Sequence, residues 1–434
     1  MTTSRRAFLG SLAAPLVAGK LPAFNTAPPE PAAPLADPKP KMPAELGTPG
    51  TPEFWKKLRR EFTIPRDHVF FNTGTLGSSP LAVQEAVIAH MRHVDRDIAN
   101  WDYVATNEQY FTGYAAELDI RNALGKVLNV PGKDLALTQN ATFGMNFVAH
   151  GLELKAGDEV IVLQTAHTGG RRGFDLRAKR DGIVVKEYRL TDPVPDPETI
   201  IKAYTDLTTP RTKVWAIPHI TSSRAIRFPV ARMCAMARER GIFSTVDGAQ
   251  AIGHIVVDIP ALGCDAYFTS PHKWLLAPKG TGIFYLRPEH QKTMWATLAS
   301  GHYDDVDDPM LRMQAYGTGN LSLLRGLEVA ALFHMQIGSK VVEDRVVGLA
   351  DRLRDGLKKI PGVTIASPTH PELRCATTLY GVAGKTGKEL QDYLWESKIR
   401  VRANGTALVR HGCHIYNSEE EVDRTLALLR KTQS

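Results

Sequence analysis

Between Asp134 and Pro288 the chain repeats one local pattern. A short, continuously apolar run ends in small or polar residues, and a stretch with apolar residues at helical spacing follows most runs. The runs read DLALTQ, DEVIVLQTAH, GIVVKEYRL, KVWAIPHIT, FSTVDGAQ, CDAYFTS and GTGIFYLRP. A strand with one wet face alternates apolar and polar residues, whereas a continuously apolar strand is covered on both faces. Joined through helices, such strands build a mainly parallel sheet of seven strands. The fold class is therefore α/β, and ligands of such a sheet bind at the carboxyl ends of its strands.

The 434 residues suffice for two cores, since one core stops growing near ~250–300 residues. Residues 76–320 carry the sheet pattern. From 321 to 434, two long helical stretches precede the short strands VTIAS, ATTLYGV and TALVRHG and a last helix, SEEEVDRTLALLRK, so a smaller α+β domain is expected there. Residues 54–75 form an N-terminal segment expected to pack with it. Ahead of these, PPEPAAPLADPKPKMPAELGTPG is dense in Pro and Ala without hydrophobic period, which makes 28–53 a linker. At the start, Ser4-Arg5-Arg6-Ala7-Phe8-Leu9 precedes an apolar run shorter than the ~20 residues of a membrane span. The paired arginines match a twin-arginine export signal over 1–27, implying the export machinery as partner and a periplasmic destination. No later segment is apolar enough to cross a membrane.

The 53 Lys and Arg against 46 Asp and Glu leave a formal charge of +7, but the charges are interspersed, which argues against nucleic acid as a partner. Cys234, Cys264, Cys375 and Cys413 show no C-x-x-C spacing, so no metal site is expected and the thiols read as core residues that export would allow to pair. Nucleotide fingerprints such as G-x-G-x-x-G are absent.

Chemistry-bearing residues collect at strand ends. FSTVDGAQ delivers Asp247 and Gln250, and FTSPHKW delivers Ser270, His272 and Lys273. LTQNATFGMN ends a strand and starts a helix near Ala141 and Thr142, where backbone N–H groups can face an anion. Taken singly, Asp247 reads equally well as a helix cap, His167 as a strand-end histidine and Ser270 as a turn residue; His254 stays structural.

In order, and above all in VDGAQAIGHIVVDIPALGCDAYFTSPHKWLLAPKGTG, these residues resemble the class V aminotransferase-like enzymes of pyridoxal 5'-phosphate (PLP) fold type I, which include cysteine desulfurases and isopenicillin N epimerase-like proteins. The resemblance implies PLP as cofactor and a Schiff base on Lys273. It makes Asp247 the partner of the pyridine nitrogen, Gln250 a donor to the phenolic oxygen, and His167 the ring stacked on the pyridine. Ser270, His272, Ala141 and Thr142 would hold the phosphate. Thr318, in YGTGNLS, would reach the phosphate of a second subunit, implying a homodimer. Arg410, then Arg402, would hold the substrate carboxylate, Asn72, Thr73 and Gly74 would close over it, and Arg224 would meet a second carboxylate. The implied substrate is an amino acid or peptide-like metabolite; transamination comes first, then epimerisation, then carbon–sulfur cleavage, with a catalytically silent binding protein or an exported solute-binding protein as the non-enzyme readings. Three departures stand out. Cys413 lies in a strand-end segment instead of a mobile loop, Ser222 replaces an asparagine common in desulfurases, and Phe143 stands where many relatives have an acid.

Overall fold

The computed structural model describes Met42, residues 46–100, 117–191, Val194 and 196–432. The export signal expected over 1–27 lies outside the described residues, as does most of the linker expected over 28–53.

After β1 (Val69–Phe70), each of the seven apolar runs becomes one strand: β2 (Leu135–Thr138), β3 (Glu159–Leu163), β4 (Val184–Tyr188), β5 (Thr212–Pro218), β6 (Phe243–Asp247), β7 (Ala266–Thr269) and β8 (Gly282–Leu286). They form one sheet in the order β2-β8-β7-β6-β5-β3-β4. All neighbours are parallel except β8, which runs antiparallel to both β2 and β7. Residues of β2, β3, β7 and β8 are buried on both faces, as their unbroken apolar character requires, whereas edge strand β4 leaves Val184 and Glu187 exposed. Alternation along β3 splits the core. Ile161 and Leu163 join Trp215, Ile217 and Tyr267 on one face, while Val160 and Val162 join Val214, Ala216 and Phe268 on the other.

The smaller unit is a four-stranded antiparallel sheet, order β12-β13-β10-β9, made of β9 (Val363–Ile365), β10 (Thr377–Val382), β12 (Arg402–Asn404) and β13 (Leu408–Gly412). Helices Ser339–Leu357 and Glu419–Lys431 supply its core through Leu349, Leu353, Val422 and Leu426. The last helix starts with a capping box between Ser418 and Glu421 and has acids in its first turn and bases in its last, both favourable to its dipole. Strand β1 pairs in parallel with β11 (Ile399–Arg400), and Asn72 bridges to Gly412, so the N-terminal segment is stitched into the small domain.

One boundary differs from the sequence reading. Helix Leu321–Ile337, expected in the small domain, packs Leu321, Leu327, Val329, Ala330 and Ala331 into the large core. Amphipathicity revealed that the helix has a buried face but not which core receives it. The two domains meet at Trp274, whose carbonyl contacts His414 Nε2 at 2.9 Å, and at His254, whose Nε2 accepts the N–H of Ala376 at 2.8 Å.

Candidate active site

Strand β6 ends at Asp247, whose Oδ1 accepts the Ala249 N–H at 2.9 Å. Its other oxygen faces Gly170, where a Cβ would overlap it, so the chain between β3 and the next helix closes over the carboxylate only because it carries glycine there. Burial raises the pKa of Asp247, with the Ala249 N–H, Lys273 and His167 acting against it.

Strand β7 runs into Ser270 and the turn that bears the lysine. The Lys273 N–H is held by the Ser270 carbonyl at 3.1 Å, and the Gly77 N–H by the His272 carbonyl at 2.9 Å, so the loop after β1 lies directly against this turn. Among the described residues, Lys273 Nζ has neither a hydrogen-bond nor an ion-pair partner. Burial lowers its pKa; Asp247 opposes that shift, and Arg410 and Arg402 add to it. A lysine in this setting is a nucleophilic amine rather than a surface cation.

Neighbouring side chains fix the turn. Trp274 stacks on His254 at 3.7 Å and 19° and donates its indole N–H to Gln250 Oε1 at 2.7 Å. Gln250 Nε2 in turn donates to the Gly74 carbonyl at 2.9 Å. The amide of Gln250 thus arrives with its oxygen used and one N–H left to offer, in an orientation set by Trp274. The sequence pointed to neither Trp274 nor Gly170 as site residues; the tryptophan beside the lysine in HKW and the glycine pair after His167 are the signals that were there.

His167, Ser222, Asp247, Gln250 and Lys273 line one cavity. His167 Nδ1 accepts the Gly169 N–H at 3.0 Å, which leaves Nε2 to carry the hydrogen of the neutral ring. Burial and Lys273 lower its pKa, against Asp247, so the ring is held neutral. At the other end of the site, Ser270 Oγ accepts the Ala141 N–H at 3.0 Å, and Asn140 caps helix Ala141–Gly151 by accepting the Thr142 N–H at 3.0 Å. The first amides of this helix are therefore engaged locally. What remains for an anion is the Thr142 side chain, exposed beside Gly169, together with Ser270 and His272, whose Nδ1 donates to the Thr281 carbonyl at 3.1 Å.

The small domain contributes Arg410. Its guanidinium donates to the Ser222 carbonyl at 3.1 Å, to Asn72 Oδ1 at 3.3 Å and to Thr75 Oγ1 at 2.7 Å. Burial, then Arg402, lowers its pKa to about 10. Arg402 donates to the same Thr75 hydroxyl at 3.0 Å. Thr73 hydrogen-bonds Tyr416, and Gly74 lies against Gln250 and Arg410, so the loop expected to close over substrate is already packed on the site. Two expected residues are not gathered here. Arg224 lines a separate small cavity with Leu190, Val194 and Ala366, because Ala225, at φ +54°, turns the chain just after it. Thr318 is exposed on its segment.

An uncommitted amine, a half-buried carboxylate and a neutral imidazole lining the same cavity, and hydroxyl and imidazole groups beyond it form a donor set that fits PLP. The family model described as "Aminotransferase class-V" matches residues 79–425. The chain belongs to this family. It is a PLP-dependent class V enzyme of fold type I. Among curated relatives, isopenicillin N epimerase of Streptomyces clavuligerus is 28% identical over 390 residues, covering 85% of this chain and 96% of that protein. A probable cysteine desulfurase of Xylella fastidiosa is 29% identical over 414 residues, covering 89% and 97%. Among solved structures, a C-DES mutant with glycine covalently linked to its PLP cofactor superposes with TM-score 0.76 at 22% identity, covering 86% of this chain and 98% of that one. The apo cysteine desulfurase of Thermococcus onnurineus NA1 gives 0.77 at 22%, covering 87% and 97%. At that identity these two structures speak for the fold.

Proposed function

We propose that this class V enzyme is an aminotransferase acting on the α-amino group of an amino acid, or of an amino-acid residue in a peptide-like metabolite. The observation that carries the reading is Lys273, an amine with no partner among the described residues, sharing one cavity with Asp247 and His167. When bound, PLP supplies an aldehyde that captures an amino group and a protonated ring that delocalises charge from Cα.

The rest falls to the chain. Lys273 would anchor the cofactor and, once released, its Nζ would carry the proton from the substrate Cα toward the cofactor; burial, which lowers its pKa, favours the neutral amine that this task needs. Asp247 keeps the ring nitrogen protonated, Gln250 offers its remaining N–H to the phenolic oxygen, and His167 covers the ring face. Ser270, His272 and Thr142 hold the phosphate. Arg410 pairs with the α-carboxylate through its planar fork. Among the described residues Lys273 is the one amine lining the cavity, and an amine on one face suits a reaction in which the proton is carried from Cα along that face. Inversion at Cα needs a second group opposite.

Epimerisation is the second reading, favoured by the similarity to isopenicillin N epimerase and by a neutral His167 that could serve as that second group. Carbon–sulfur cleavage comes third. Persulfide chemistry is disfavoured because all four cysteines are buried and burial pushes Cys413 up to about 12. The reading also takes the protein as a homodimer, with Thr318 reaching the second subunit, and as exported to the periplasm by the twin-arginine route, which carries folded and loaded proteins; Arg5 and Arg6 support that address.

Borohydride treatment of the purified protein, followed by peptide mapping, is expected to leave the cofactor attached at Lys273. A panel of amino donors is then assayed separately for keto product, racemised product, and ammonia or sulfide. Racemised product alone would replace transamination by epimerisation, and a trapped cofactor with no product from any donor would leave a silent binding protein.

A further inference from the structure

Arg402 and Arg410 are direct partners across the antiparallel pair β12–β13, so their side chains leave the same face of the small domain's sheet. Like charges placed opposite each other destabilise a sheet. Nothing in the surroundings offsets this. The Thr75 hydroxyl accepts from both guanidiniums, at 3.0 and 2.7 Å, and donates its own hydrogen to Asn72 Oδ1 at 2.9 Å, so both lone pairs and the proton are used. Among the described residues neither guanidinium has a carboxylate within ion-pair distance.

That is unusual within this protein. The described residues include five buried arginines, and four of them, Arg121, Arg171, Arg177 and Arg354, carry an aspartate or glutamate partner. Arg410 is the exception. Lys273 lies near both guanidiniums, and Asp247, which lines its cavity, is the carboxylate assigned to the cofactor. Among the described residues the two guanidiniums therefore have no protein counter-charge, Arg410 being buried and Arg402 exposed.

We propose that the substrate is a dianion, an α-amino acid or amino-acid-terminated metabolite carrying a second carboxylate, with Arg410 holding the α-carboxylate and the exposed Arg402 the distal one. This rests on the proposed function for the identity of the α-carboxylate site. It moves the second-carboxylate role from Arg224, which lines another cavity, to Arg402. A substrate with a single carboxylate neutralises one guanidinium and leaves the other without a counter-charge.

The test measures binding of glutarate and butyrate to the holoenzyme by calorimetry, so that no turnover is needed. A second charge-assisted contact predicts glutarate binding at least about ten-fold tighter than butyrate. Arg402→Met is expected to bring the ratio of the two affinities to within about two-fold, Arg402→Lys to an intermediate ratio, and Arg410→Met to weaken both acids together. Thermal melts of the variants check that each is folded. An unchanged ratio in folded Arg402→Met, or no preference for glutarate in the wild type, overturns the inference: the two arginines would then share one carboxylate. A clear glutarate preference in a protein that turns over no amino donor would instead sink the proposed function and leave the dianion site standing.

Discussion

Gly170→Ala is the most pointed perturbation of the site, because the added methyl meets one atom that matters. The backbone at 170 is not in the left-handed region, so alanine is conformationally allowed, yet its Cβ would fall inside the 3.0 Å that real Cβ atoms respect from Asp247 Oδ2. The carboxylate cannot swing away freely, since Oδ1 is tied to the Ala249 N–H at 2.9 Å. It must retreat by on the order of 1 Å, a displacement that at a reacting centre can cost about a hundred-fold in rate. Losing one charge-assisted contact to the cofactor's ring nitrogen is worth about 1.5–3 kcal/mol, which is roughly a ten- to hundred-fold rise in the cofactor's dissociation constant. Titrating apo protein with PLP and following the absorbance reads this directly. Asp247→Asn should act in the same direction, and the double variant should be no worse than the more severe single one, because both act through one contact. Cofactor affinity of Gly170→Ala within two-fold of wild type, or additive losses in the double variant, would refute the placement of Asp247.

Trp274→Phe removes the indole N–H from Gln250 Oε1 and leaves a buried carbonyl unpartnered; a loss of about 1–3 kcal/mol in chemical denaturation is expected, with a weaker response of the cofactor chromophore. Glu159 gives an acid limb to stability. Burial favours its neutral form, but hydrogen bonds from Thr209, Lys186, Thr212 and Arg211 outweigh that and hold its pKa at about 2 against 4.5. Its contribution is complete above about pH 4.5 and is lost as pH falls toward 2, and Glu159→Gln should flatten urea midpoints over that window. On helix Ser339–Leu357, a Cβ at exposed Gly348 meets nothing, so Gly348→Ala should raise stability by about 0.5–1 kcal/mol in the same assay.

Burial on both faces made most of the seven strands legible, since it writes itself as apolar runs; edge strand β4 is the exception. Asp247 stood out because it closes such a run, and Lys273 because the turn that bears it follows one directly. Strand Val69–Phe70 pairs with Ile399–Arg400, and a two-residue pairing across that separation leaves no periodic trace. The relation between Arg402 and Arg410 was equally hidden. Their eight-residue spacing becomes opposition only once the register of β12 on β13 is set. Arg224 lines a different cavity from Lys273, and the next residue, Ala225, adopts a left-handed conformation that an alanine does not advertise. Gln250 was found at its position, but its orientation depends on Trp274, which the sequence offers only as another apolar residue.

The parallel pairing of Val69 with Ile399 has a bearing on biosynthesis. At the usual pace of translation the first of these residues leaves the ribosome on the order of half a minute before the second. Until the small domain is made, Phe54, Trp55, Phe62 and Phe71 lack part of the surface that covers them, so the nascent chain carries an incompletely covered aromatic segment. Closure of this stitch is a late event, and substitutions that weaken it should lower the yield of folded protein more than they lower the melting temperature of what does fold.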